Sequence, residues 1–191
     1  MNHIVFQSKC QGYSHIKSDL ECQDSTLVKK TEKYAIAVVA DGHGSASYFR
    51  SSRGSLFATE AAITAIEELL ETILSDKSNM DDFCASIDKH LIQLERSVIA
   101  RWHERVEDDY SKNPFLDSEI LKVDEKHKEK YLKGERIEAA YGSTLIAVAC
   151  TDAFWFGIHI GDGKCITCDY SGNFAEPIPW DEKCFLNVTT S

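Results

Sequence analysis

The chain has 191 residues, 21 Lys and Arg against 31 Asp and Glu, a net charge of −10, and 43% hydrophobic residues. That length suits one domain with a real core, and the apolar share excludes a disordered chain. The acidity argues against binding nucleic acid or an anionic membrane surface, both of which require clustered Lys and Arg.

No run of about 18 apolar residues is present, so no membrane-spanning helix is expected. Met1–Gln7 has neither a basic flank nor an apolar signal core, and a cytoplasmic location follows as the expectation. The seven cysteines are odd in number and scattered, and several sit in apolar stretches. Such usage predicts reduced, buried thiols rather than a disulfide framework. Cys165-Ile166-Thr167-Cys168 occurs once, on a predicted strand over 164–170, which does not support a four-cysteine zinc site.

In chain order, Val5-Phe6 opens a first predicted strand and Ser25–Lys29 forms a second. Tyr34–Ala40 is a nearly unbroken apolar run, as for a strand buried on both faces, and it stops at Asp41-Gly42-His43-Gly44. Glycines flanking a charged residue there indicate a tight turn close to other backbone. Ala62, Ile66, Leu69 and Ile73 share one helical face. Phe83, Ile87, Leu91, Leu94, Val98, Trp102 and Val106 predict one further long helix, with Ser78 and Asp81 as its capping pair. Residues from about 111 to 138 are polar and lack a clean period, and the solvated charge run Lys126–Lys130 within them reads as an exposed loop or helix face. Ser143–Cys150 and Phe154–Ile160 read as paired strands, the second running into Gly161-Asp162-Gly163. Strands, a helical block at about 55–138, then strands again make an α+β fold with antiparallel pairing, in one domain spanning 1–191.

Asp24, Asp41 and Asp162 each sit at a predicted strand end, where a rigid sheet can bring carboxylates together. Hard divalent cations favour carboxylate and carbonyl oxygen, and Asp41-Gly42 offers both. His43, beside them, has the right intrinsic pKa for a general acid near neutral pH.

Four motifs in order carry a resemblance: Cys22-Gln23-Asp24-Ser25, Tyr34–Ser45 with its Asp41-Gly42-His43-Gly44, Tyr141-Gly142-Ser143-Thr144-Leu145, and Gly161-Asp162-Gly163. Together they resemble the type 2C metal-dependent protein phosphatases, and Gly12-Tyr13-Ser14-His15 resembles the bacterial branch of that family. The resemblance implies two antiparallel sheets packed as a sandwich and flanked by helices, with two or more Mn²⁺ or Mg²⁺ ions at one end. It implies attack by a metal-bridging hydroxide on phosphoserine or phosphothreonine of a phosphorylated protein. Asp41 would bridge two ions, the Gly42 carbonyl would bind one, Asp24 would be a ligand or accept from a bound water, and Asp162 would hold a weaker ion. His43 would protonate the leaving alkoxide, and Gly142-Ser143-Thr144 would be structural.

Three departures stand beside this. Gln23 occupies a position where many members carry a glutamate. The arginine that many members use for substrate phosphate has no evident counterpart, leaving His15, Lys17, Arg50 and Arg53 as candidates. The chain also stops at Ser191, about where two further metal aspartates should follow; Asp169 and Asp181 remain but match no motif. A domain incomplete at its C-terminal side would expose sheet edges, and a homodimer through them is expected. The leading reading is therefore a metal-dependent Ser/Thr phosphatase, weak or inactive if incomplete. The alternatives are a non-catalytic phosphatase-like binding or regulatory module and, opposed by the charge, another phosphohydrolase such as a nuclease.

Overall fold

The computed structural model describes residues 4–179. Strands β1 (Asp24–Lys30), β2 (Tyr34–Asp41), β3 (Leu145–Thr151) and β4 (Trp155–Ile160) form one antiparallel sheet in sequence order. Period-2 alternation points Tyr34, Ile36, Val38 and Ala40 of β2, and the matching residues of β3 and β4, onto one face. Helix α2 (Ser51–Ile73) lies against that face. Its Ala58, Ala61, Ala62 and Ala65 are small enough to let helix and sheet approach closely, while Ile66, Leu70 and Ile73 fill the space beyond them. The outer face is more open than the apolar run of β2 predicts, for Val39 is 49% exposed. There Ile178 packs on β4, so close that a Cβ on Gly157 would lie 2.8 Å from it. A two-stranded ribbon, β5 (Thr167–Cys168) with β6 (Phe174–Ala175), is the second sheet among the described residues. The fold is α+β, with a helical block between two pairs of antiparallel strands.

The predicted long helix is two. Helix α3 (Lys77–Ala85) is capped by Asp76, whose carboxylate accepts from the Ser78 N–H at 2.7 Å. It ends at Ser86, whose hydroxyl bonds back to the Asp82 carbonyl and whose backbone leaves helical geometry, before α4 (Ile87–Lys112) begins. A serine bonding its own backbone competes with helix continuation. The break sends Phe83 against Phe154 and Phe156 while α4 packs along α2.

The aperiodic segment holds helices α5 (Asp117–Ile120) and α6 (Glu125–Leu132), the latter carrying the charge run 126–130, and a 3-10 turn, Ile137–Tyr141. Its Ile120, Val123, Tyr131, Ala140 and Tyr141 join Val106 in a second core. Short α1 (Tyr13–Lys17) precedes the sheet. Val5-Phe6 forms no strand, and Phe6 is 86% exposed, having no sheet to pair with. Of the strand predicted over 164–170 only Thr167–Cys168 pairs. The described cysteines are free thiols, but Cys10, Cys84 and Cys168 are exposed and Cys22, Cys150 and Cys165 half-buried, because their flanking segments lie on surfaces rather than in the core. No described helix is long and apolar enough to cross a membrane.

Candidate functional site

The register of β1 on β2 sets Asp24 directly opposite Asp41. The end of β2 is fixed from both sides by Thr144. The Asp41 N–H donates to Thr144 Oγ1 at 3.1 Å, and the Asp41 carbonyl accepts from the Thr144 N–H at 2.8 Å. Ser143 Oγ adds a bond to the same carbonyl at 3.2 Å. Gly42 follows, its N–H donating to the Gln23 carbonyl at 3.1 Å. A Cβ there would stand 2.6 Å from the Ser51 carbonyl oxygen, so only glycine fits. No hydrogen bond among the described residues ends on the Gly42 carbonyl oxygen. Beyond β4 the chain turns through Gly161, at φ +99° over the Thr144 side chain, and presents Asp162.

These placements crowd negative charge. Burial pushes the Asp41 carboxyl above the usual range, and Asp24, in hydrogen-bonding contact, and Asp162 push the same way; His15 acts against them. No Lys or Arg among the described residues pairs with any of the three carboxylates. His43 leaves the turn with its N–H on the Gly142 carbonyl at 3.0 Å and its ring edge-on to Tyr48 at 4.7 Å. Burial lowers its pKa, and Asp162 opposes that shift. A Cβ on Gly142 would lie 2.6 Å from the His43 ring, so that glycine makes room for the imidazole.

The residues suit a hard cation in part. Two opposed carboxylates with a carbonyl free of other hydrogen bonds form an oxygen donor set, and Mg²⁺ keeps several waters and needs only one or two protein carboxylates. Among the described residues no three His, Cys, Asp or Glu side chains form a group that could hold a metal on their own. Asp162 thus acts on the pair electrostatically rather than closing a ligand cage with it.

Gln23 is turned to the start of α2. Its side-chain amide donates to Ser51 Oγ at 2.9 Å and to the His43 carbonyl at 3.4 Å, so it braces the turn. Among the phosphate candidates, His15 is near enough to act on Asp41. Lys17 lies over the Tyr13 ring at 4.8 Å. Arg53 Nη1 donates to both carboxylate oxygens of Asp109, at 3.1 and 2.9 Å. Arg50 is 5% exposed, and its guanidinium donates to both Glu119 oxygens, Tyr141 Oη and the carbonyls of Asn113 and Pro114. Asp169 accepts from the Ser171 and Asn173 N–H groups as a turn residue. Asp181 lies outside the described residues.

A feature the sequence did not announce adjoins the site: a cavity of about 520 Å³ reaching His43, walled by α4, α6, the 3-10 turn and the edge of β4. Its walls come from residues scattered between 43 and 160, whose joint placement no local pattern reveals.

No curated protein matches the chain. The family model described as protein phosphatase 2C matches residues 11–191, and the chain belongs to that family.

Proposed function

We propose that the chain is a metal-dependent hydrolase of phosphoserine and phosphothreonine in proteins. The observation that carries it is the opposed pair Asp24–Asp41, crowded further by Asp162 and with no Lys or Arg ion-paired to the carboxylates among the described residues. Like charges set directly across a strand pair are destabilising, and a protein retains them where a cation resides. Asp24, Asp41 and the Gly42 carbonyl would hold Mn²⁺ or Mg²⁺, with Asp162 contributing to a further ion. A bound divalent cation supplies a water of lowered pKa as nucleophile and offsets charge on the phosphoryl oxygens.

The chain's own residues do the rest. Thr144 and Ser143 hold the Asp41 backbone so that its carboxylate stays at the sheet rim. His43 is the proton donor for the leaving oxygen. Burial disfavours its protonated form in the free protein, while a bound phosphate, like Asp162, favours the protonated ring. His15 is the phosphate contact preferred over Arg50, whose guanidinium is engaged inside the protein, and over Arg53, which is exposed but holds Asp109. A cytoplasmic setting accords with the free thiols.

The test is turnover of p-nitrophenyl phosphate and a phosphothreonine peptide with Mn²⁺ and with EDTA. Turnover that requires Mn²⁺ and disappears in Asp41→Asn is expected; EDTA-resistant turnover, or full activity in Asp41→Asn, refutes it. The second reading, a non-catalytic module that binds a phosphorylated partner, is favoured by one observation: no group of three metal-ligating side chains closes among the described residues. It predicts peptide binding without turnover in any metal.

A further inference from the structure

The cavity beside His43 has a chemistry at odds with the chain around it. With 31 acidic residues against 21 Lys and Arg, a random stretch of surface carries more acids than bases. This lining carries Lys130 and Arg136 against Glu138 alone. It also gathers His43, His103, His127 and His159, four of the chain's seven histidines. Lys130 makes no ion pair among the described residues, and Arg136 approaches Glu138 only to 4.0 Å with its side chain 62% exposed. Of the other arginines, Arg50, Arg53, Arg101 and Arg105 each hold a carboxylate at 3.0 Å or less, and exposed Arg96 makes no ion pair among the described residues.

Arg136 is further set apart by its backbone, at φ 55° in the left-handed region that glycine favours. On the β4 side of the lining, His159 Nε2 is buried without a hydrogen-bond partner among the described residues. The apolar part of the lining is rigid. Trp102 is held by its Nε1–H on the Gly54 carbonyl at 3.0 Å, and Tyr131 by its hydroxyl on the Ser47 carbonyl at 2.9 Å. Their polar atoms are satisfied; Trp102 is half-buried and Tyr131 only 5% exposed, so the ring surface on offer is mainly that of Trp102. Fixed aromatic walls, a cationic rim and a volume of about 520 Å³ match a site for a large apolar side chain followed by carboxylates.

We propose that this groove binds the substrate protein next to its phosphorylated residue, taking an aromatic or large aliphatic side chain between Trp102 and Tyr131 and acidic residues against Lys130, Arg136 and His127. The assignment of substrate to this groove rests on the hydrolase reading, because it is His43 that joins groove to reaction site. Charge complementarity selects the occupant: an acidic segment is the one partner that such a rim favours and the remaining, acidic surface repels.

The experiment uses the full chain and two fluorescein-labelled phosphothreonine peptides, one flanked by Phe and Glu, the other by Ser and Lys. Binding is read by fluorescence anisotropy in EDTA, where the proposed hydrolysis is switched off, and kcat/KM is read separately with Mn²⁺. The Phe/Glu peptide should bind about tenfold or more tightly than the Ser/Lys peptide, a difference of the size that a few desolvated contacts give. Lys130→Glu combined with Arg136→Glu should reverse the order. The neutral pair Lys130→Gln with Arg136→Gln should only flatten it, and circular dichroism should show both variants folded. Equal affinities in the unaltered chain, or a preference that survives charge reversal, would overturn the proposal. Selective binding with no turnover in Mn²⁺ refutes the hydrolase reading and leaves the groove standing; turnover of both peptides with equal affinity and equal kcat/KM does the opposite.

Discussion

Replacing Arg50 by alanine separates two roles that its position after the Asp-Gly-His turn leaves open. Its guanidinium reaches Glu119 twice, at 3.0 and 2.9 Å, and Tyr141 Oη at 2.8 Å. It caps the Asn113 and Pro114 carbonyls at 2.6 and 3.1 Å and stands 4.8 Å over the Phe115 ring. Removing one member of a buried ion pair costs about 3–5 kcal/mol, mainly because the partner is left charged and unpaired. Glu119 retains a quarter of its exposure and can recover some hydration, which puts the loss at the lower end, about 3 kcal/mol. For a chain of this size that lowers Tm by about 6–12 °C. Thermal unfolding followed by circular dichroism, with urea midpoints as a second measure, reads it directly. Arg50→Lys should fall almost as far, since one ammonium cannot span acceptors on three sides. Arg50→Met with Glu119→Leu should recover much of the loss, because no charge is stranded. An Arg50→Ala protein that melts within about 1 °C of the parent, yet binds phosphopeptide substrate far more weakly, would refute the structural reading and make Arg50 a phosphate ligand.

The same cluster sets an acid limit. Burial pushes Asp109 and Glu119 upward, but hydrogen bonds from Tyr141 and Arg53 to the first and from Arg50 to the second outweigh it, so both titrate below the ordinary carboxylate range. A folded pKa below the unfolded one gives stability that is full above the unfolded value, about pH 4, and is lost as pH falls through the folded values. Urea midpoints should therefore drop steeply below about pH 4, and less so in the Arg50→Met, Glu119→Leu protein. At the acidic pair, Mn²⁺ should raise Tm in a concentration-dependent way, and Asp41→Asn should abolish the rise. In EDTA that same variant should be as stable as the parent or more so, by up to about 1 kcal/mol, since it relieves an opposed like-charge pair; a large loss instead would contradict the crowding argument. Gly54→Ala places a methyl 1.7 Å from the Tyr141 carbonyl oxygen, within backbone that cannot move aside. Its loss should exceed about 3 kcal/mol, read by the same urea titration.

What the sequence made legible was local. The apolar run Tyr34–Ala40, the glycines after it and the spacing of Ala62, Ile66 and Ile73 each report a single element's environment, and each element is where the pattern put it. Asp41, Gly42 and His43 read on their own as an ordinary turn, and stand out only because three further motifs follow or precede them in order. The second core was invisible for a physical reason. It is assembled from short helices contributing one or two buried residues each, Ile120 from α5 and Tyr131 from α6, which is too few to impose a period. Arg50 was ambiguous because its burial is decided by Glu119 and Tyr141, far along the chain. The break at Ser86 was hidden because Phe83, Leu94 and Val98 fit a continuous helical stripe as well as an interrupted one.

The opposition of Asp24 and Asp41 follows from the core rather than from the site. Strand side chains alternate with period 2, so slipping β2 by one residue against β1 would move Tyr34, Ile36, Val38 and Ala40 from the face under α2 to the open one. Ile36 and Val38 alone contribute about 1.5–3 kcal/mol each by their burial. Two carboxylates facing each other across the strands cost no more than about 1 kcal/mol in the absence of a cation. The register is therefore held by the apolar face with energy to spare, and the carboxylates are carried into opposition by it. A sheet that fixes them this firmly can lose its cation without losing the arrangement that receives it. Asp41→Asn should accordingly remove cation binding while leaving the sheet intact, and amide exchange across β1 and β2 should match the parent in EDTA. If exchange along those strands instead quickens in Asp41→Asn, the pair would be holding the register, and the order of cause argued here would be reversed.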